Sequence, residues 1–369
     1  IRRSRRHSQF PAGYFFLGAA FFSLGFTEYF HIGLAHVLHL LFAFALFTTL
    51  VDARTNPVSV AAVFVSGLII PALIGWWQVI TGASPASTVF GLALKDAQVA
   101  GTAVVETSAG RMLRAYGSFP HPNIFGGFLT VGLVCLAWLI RFVHHRRTRI
   151  FFLVPVVLLS ATLVITFSRS AWLGITLGCL TLVSLLLYRH RVLPSRALPA
   201  ILLGLVTILI TLGVFYQQVF SRVRVDGHVE TISIEERASQ YSRFDDVLLM
   251  NPVLGVGPGV YPFALSQIDP GGKAWAYQPI HNAFLLVLAE LGAVGLIALL
   301  YLLIRVDQVS ARVSKTAGGM LGLTLGIVLV VISLFDHYLF SLWPGLALSA
   351  ISLSFIVNWT KTESLDRFV

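Results

Sequence analysis

Charge is scarce in this chain. Only 11% of its 369 residues are Asp, Glu, Lys or Arg, against roughly a quarter in soluble globular domains, which excludes that class. Only two cysteines occur, Cys135 and Cys179, both inside apolar runs, so there is no disulfide framework to read. Long polar tracts are missing too. With 28 Phe and 7 Trp along the chain, disorder is excluded. The short alternating segments of an outer-membrane barrel are also absent. What is present is apolar: 56% of residues are hydrophobic and the mean hydropathy is +0.83. They form continuous runs of about 20 residues, the length a helix needs to cross about 30 Å of hydrocarbon. The expected fold class is therefore all-α, a polytopic transmembrane helical bundle embedded in a lipid bilayer.

Ten runs stand out, at 10–27, 31–51, 58–80, 123–140, 150–167, 170–188, 198–216, 281–304, 317–335 and 338–358. The net charge of +10 would point to nucleic acid in a soluble protein, but here it is organised by the membrane. Of 26 basic residues 22 are Arg, and most sit in short clusters: Arg2 to Arg6, Arg54, Arg141 to Arg149, Arg189 to Arg196, Arg305 to Lys315, and Lys361 with Arg367. With the N-terminus inside, ten spans put every cluster on the cytoplasmic face. The inner connections then hold 17 basic and 4 acidic residues, the outer ones 9 and 11. This is the positive-inside asymmetry, and nucleic acid is not an expected partner.

The spacing divides the chain into helices at 1–80, an outer loop at 81–122, helices at 123–216, a large outer loop at 217–280 and helices at 281–369. Long connections in compact proteins are usually functional, so the two outer loops are where a site has room. In the second, Ser233 and Glu236 form a capping box that opens a helix carrying Ile234, Ala238, Tyr241, Phe244 and Leu248 on one side, ended by Asn251-Pro252. The chain opens on Ile1 and a basic RRSRR with no cleavable signal pattern, so it reads as a fragment lacking an earlier part. No internal repeat of the inverted-transporter kind is present.

Few residues carry chemistry. Ser168-Arg169-Ser170 interrupts an apolar stretch; Arg169 either snorkels to headgroup phosphates or faces an anionic ligand with its planar fork. Arg237 and Arg243 are solvated helix charges or ligands of the same kind. The glycine-rich NPVLGVGPGVYPF at 251–263 lacks the Lys-Ser/Thr and the preceding strand of a phosphate loop, and reads as a rigid turn returning the chain to the membrane. His281 opens the eighth span beside Asn282, and an imidazole, titrating near about 6.5, suits proton transfer. Glu290 lies nine residues on, about 180° round the helix from His281, and is expected to hold a neighbouring helix near Gly292 and Gly295. Before the fourth span, in RAYGSFPHPN, Arg114 and Asn123 flank a turn, and Asn123 can cap the helix that follows. His31, His36 and His39 share a span without a carboxylate or thiol beside them, so no metal site is expected.

Four segments taken in order, RAYGSFPHPNIFGGFL, TFSRSAWLG, ERASQYSRFDDVLLMNPVLGVGPGVYPF and HNAFLLVLAELGAVGL, resemble the O-antigen ligase and polymerase family of bacterial envelope enzymes. The resemblance covers about 110–300. Family members commonly have about twelve spans, so ten fits a chain missing its first pair. The resemblance implies a metal-independent, cofactor-free glycosyltransferase in the cytoplasmic (inner) membrane, its site facing the periplasm or exterior. The donor would be a glycan on undecaprenyl diphosphate and the acceptor a hydroxyl of another glycan or glycolipid. By the same resemblance His281 is the catalytic base and Arg169 and Arg237 bind the diphosphate, with Tyr241 one turn after Arg237 favouring it over Arg243. Arg114, Arg243, Asn123 and Asn282 are secondary candidates. Within the enzyme class, a ligase and a polymerase share these motifs. From another class, a transporter or flippase of polyprenyl-linked sugars would need an outward cationic cavity, several polar residues at midplane and repeat symmetry.

Overall fold

A computed structural model describes residues 11–52, 54–108, 110–143, 145–188, 197–224, 228–273, 276–312 and 314–365. The basic clusters at Arg2 to Arg6 and Arg189 to Arg196, and Arg367, lie outside the described residues. The helices are α1 (Pro11–Leu24), α2 (Phe30–Val51), α3 (Pro57–Gly67), α4 (Ile69–Thr81), α5 (Pro122–Leu139), α6 (Arg146–Ile165), α7 (Arg169–Tyr188) and α8 (Leu198–Val214). They continue with α9 (Tyr216–Arg224), α10 (His228–Ser242), α11 (Phe244–Met250), α12 (Tyr261–Ile268), α13 (Ala283–Arg312), α14 (Ala317–Phe335), α15 (Tyr338–Ser341) and α16 (Trp343–Leu365).

Among the described residues six helices are long and apolar enough to cross a membrane, or seven if the pair α8 and α9, bent by 86°, forms one span. The protein is a multi-pass membrane protein. The other runs expected as spans are also helical, as shorter apolar helices at Pro11–Leu24, Arg149–Ile165 and Trp343–Trp359. An all-α chain was expected, but the 81–122 segment holds two small antiparallel ladders. β1 (Ala83–Ser84) pairs with β2 (Lys95–Asp96), and β3 (Val104–Thr107) pairs with β4 (Gly110–Leu113). The buried Gln78 at the end of α4 ties this segment down: its Oε1 accepts from Tyr116 N and Gly117 N at 3.0 and 2.9 Å, and its Nε2 donates to Gly117 O at 3.0 Å. A carboxamide meets both a free N–H and a free C=O at once, so one side chain closes the loop without a longer sheet.

The chain divides into two compact units, with two of the four boundaries in connections, at 52/53 and 313/314, and two inside α10 and α14. One comprises residues 1–52, 235–313 and 333–369. Its core joins Phe16, Ala20 and Leu24 of α1, Val37 and Leu40 of α2, and Leu286, Val287 and Leu291 of α13. The other comprises 53–234 and 314–332. Its most enclosed helix is α5, where Gly126 lies against Ser168 and Ala171, and Gly132 against Leu68. In lipid there is little hydrophobic force between helices, so such small residues gain their packing by close approach.

Two local expectations change here. The helix expected to open at the Ser233 capping box is already helical from His228, and neither Gly nor Pro stands between 228 and 233 to interrupt it. It then breaks at Arg243 into α10 and α11, and the expected stripe divides: Phe244 is buried, whereas Ile234 and Tyr241 are 42% and 45% exposed.

Candidate active site

In the unit that contains α13, polar side chains from three sequence regions converge. His281 stands just before α13 and is half-buried. Its Nδ1 lies 2.7 Å from Oε1 of Gln240, and its backbone N–H donates to the same oxygen at 3.3 Å. Gln240 is buried, although it lies on the otherwise polar α10. The ring of His281 meets that of His337 edge to face, with centroids 5.2 Å apart. His337 lies in the connection between α14 and α15, its Nδ1 2.6 Å from Ser341 Oγ. The buried Asp336 accepts from the His337 backbone N–H at 3.0 Å.

Burial pushes the His281 pKa below the ordinary imidazole value. Asp336 pulls it back up, while His337 and Arg237 push it further down. His337 is lowered likewise, mainly by burial and further by Arg237, against Asp336. Both imidazoles are therefore neutral at neutral pH, the form a base requires. Arg237, on α10 one turn before Tyr241, is half-buried and near enough to act on both rings. An anion arriving here meets a cation, two uncharged imidazoles and one carboxylate.

Several expected site residues have structural work. Asn282 is the N-cap of α13, its Oδ1 accepting from Phe284 N at 3.0 Å and Leu285 N at 3.1 Å, so it is not free to bind a ligand through that oxygen. Arg243 stands at the N-cap position of α11 and pairs with Asp269 at 3.4 Å on a solvent-exposed edge. Glu290 was expected to hold a neighbouring helix. Instead it holds the glycine-rich loop, Oε2 accepting from Gly259 N at 2.7 Å and Oε1 from Tyr261 N at 3.3 Å. That loop does more than turn the chain back. At Gly292, with φ of 67°, α13 is broken, and the loop supplies the missing partners. Val256 N and Gly257 N donate to Ala289 O and Glu290 O, while Ala293 N and Val294 N donate to Pro252 O and Val253 O. Tyr261 is no rival base: burial, helped by Glu290, raises its phenol to about 12.

The second unit places Arg169 as the first residue of α7, half-buried, directly after the break at Thr166–Ser168. Phe167 in this break has a φ of 48°, uncommon for a residue with a Cβ. Arg114 is buried and reaches Thr166 O through Nε at 2.8 Å and Asn123 Oδ1 through Nη2 at 2.7 Å. Asn123 was expected to cap α5; the cap is His121, whose Nδ1 accepts from Asn123 N at 3.1 Å. Arg222, a residue the sequence did not single out, is buried with Nη2 3.1 Å from Phe167 O. Of the three histidines on α2, His36 is packed against Phe340 at 5.0 Å. Among the described residues no group of three or more His, Cys, Asp or Glu is placed to hold a metal ion.

Residues 154–300 match the family model described as O-antigen ligase. This match, over 147 of the 369 residues, supports the O-antigen ligase and polymerase family. Members of the O-antigen ligase and polymerase family are glycosyl-transferring membrane enzymes that act on lipid-linked glycans and acceptors. The match spans Arg169, Arg237, Gln240, His281 and Glu290, and stops short of Arg114, Asn123 and His337. No curated protein matches the chain. Gln240, Asp336 and His337 escaped the sequence reading, although Asp336-His337 is a polar pair set between two apolar runs.

Proposed function

We propose that this O-antigen ligase-family protein transfers a glycan from undecaprenyl diphosphate to an acceptor hydroxyl at the outer face of the cytoplasmic membrane. The ten-span topology with an inside N-terminus belongs to the same proposal, and places 81–122 and 217–280 outside. The observation that carries it is the uncharged His281 beside Arg237, in a domain whose family transfers glycans. In the proposed step the acceptor oxygen attacks the anomeric carbon and gives its proton to His281. The bond from that carbon to the diphosphate breaks, and the diphosphate departs with the electron pair. Negative charge grows on the leaving group, where a guanidinium can donate two parallel hydrogen bonds. Arg237 takes that role here, and the resemblance gives Arg169 the same role.

A transporter of polyprenyl-linked sugars is less well supported. Glu290, a carboxylate buried inside a span, has both oxygens engaged by backbone N–H groups of its own unit. The test uses the full chain in detergent with an undecaprenyl-diphosphate-linked oligosaccharide, offered either lipopolysaccharide core or a second donor as acceptor. The product separates ligase from polymerase. His281→Ala is expected to lower the transfer step by about a hundredfold while donor binding holds. Arg237→Lys, which keeps the charge and loses the fork, is expected to lose most of the transfer. Normal turnover in His281→Ala would end the base assignment.

A further inference from the structure

The contact between Gln240 and His281 decides more than proximity. A backbone N–H can only donate, so the carboxamide atom that faces His281 N at 3.3 Å must be the oxygen. The same oxygen lies 2.7 Å from His281 Nδ1. An amide oxygen only accepts, so the hydrogen of that short contact sits on Nδ1. In the neutral ring the lone pair is then left on Nε2. Gln240 is the one buried side chain among the described residues of α10, and its burial limits competition from water.

We propose that Gln240 is a positioning residue: it holds His281 in the Nδ1–H tautomer through two hydrogen bonds to one oxygen, leaving Nε2 as the nitrogen that takes the acceptor's proton. The catalytic half of this rests on His281 being the base; the tautomer does not. When His281 gains a proton, the Nδ1–H bond to Gln240 persists, so the ring need not turn during the step. The charged or titratable groups facing His281 are Arg237 on the same helix as Gln240, and Asp336 and His337 from the connection after α14. Asp336 favours the imidazolium and the other two oppose it, so an uncharged carboxamide fixes the geometry without adding to the field.

The test reads tautomer and turnover together, on the full chain with nitrogen-15 histidine and the same donor and acceptors. Wild type is expected to show His281 protonated at Nδ1. Gln240→Leu, of similar size without an acceptor, should lose that single tautomer and about tenfold in turnover with donor KM little changed. Gln240→Glu retains an acceptor, so it should keep the tautomer and recover turnover at high pH. Its carboxylate favours the imidazolium, so the acid limb of its profile should move to higher pH. Nε2–H in the wild type overturns the proposal, as does a Gln240→Leu protein with unchanged tautomer and turnover. If His281→Ala alone remains active while the tautomer follows Gln240, the base assignment fails and the clamp stands.

Discussion

Each unit of the protein interrupts an apolar helical stretch, and the two interruptions are stabilised by side chains of opposite hydrogen-bonding character, donors at one and an acceptor at the other. Between α6 and α7 the break leaves carbonyls without helical partners, and cations take them: Arg114 holds Thr166 O and Arg222 holds Phe167 O. Within α13 the break is met by backbone from the loop, and the N–H groups left over, Gly259 and Tyr261, donate to the buried carboxyl oxygens of Glu290. The difference follows from which end of the peptide unit is left open. Inside a low-dielectric span an unpaired C=O or N–H is costly, so each is met by a side chain that supplies the complementary donor or acceptor. An ionisable residue within an apolar run can therefore belong to the fold. Glu290 does so, and Arg114 serves the other break from the 81–122 segment, whereas Arg237 and His281 are the groups proposed to meet substrate.

The largest effect tests whether the α13 break depends on backbone contact. A Cβ on Gly292 would run into the Val253 carbonyl, at a φ that L residues rarely adopt. Gly292→Ala is expected to cost at least about 3 kcal/mol and to abolish well-folded protein. Size-exclusion chromatography and thermal unfolding in detergent check this, and a stable, monodisperse variant would contradict the packed loop.

Next come the two side chains that meet the breaks. Glu290→Gln preserves shape but turns an NH2 toward a backbone N–H, and Arg114→Lys cannot reach Thr166 O and Asn123 together. Each is expected to destabilise by about 1–3 kcal/mol. If denaturant unfolding shows only one of them to matter, the symmetry between the breaks is lost.

The smallest effect separates the units by pH. His281 and His337 are held neutral with lowered pKa values, so below roughly pH 6.5 the unfolded chain binds protons that the folded chain does not. Stability is full above that pH and is lost as pH falls toward the folded values. Arginine does not titrate in this range, so the α6–α7 break should be unaffected. Hydrogen exchange at about pH 7.5 and about pH 6 should show faster opening around residues 235–250 and 336–341 only. The same shift places the acid limb of transfer activity below about 6.5. A limb at or above that value in wild type would assign it to another group.

The interruption at Ser168-Arg169 was visible in the sequence because two polar residues and a charge stand inside an apolar stretch. The interruption at Gly292 was not, since a glycine in a membrane helix is ordinary and nothing local distinguishes φ of 67° from a helical value. Asn123 and Asn282 looked alike, each standing at the start of a helix. Only Asn282 is a cap, because Arg114 arrives from nine residues earlier and takes the Asn123 oxygen. Gln240 was silent for a similar reason: its helix is polar on nearly every side, and burial of one polar side chain leaves no mark on the pattern.

By itself the sequence determined the membrane class and where the long apolar helices lie. Through four short motifs it also pointed to the family, which the match at 154–300 supports, and to the arginine and histidine candidates. Those properties are additive along the chain, so each residue's hydropathy or charge contributes wherever it ends up. The tertiary structure decided which polar groups remain free for chemistry. A hydrogen bond is satisfied by whichever group the fold brings within about 3 Å, and the deciding partners here lie 31 residues apart for Glu290 and Gly259, 41 for His281 and Gln240, and 52 for Arg114 and Thr166.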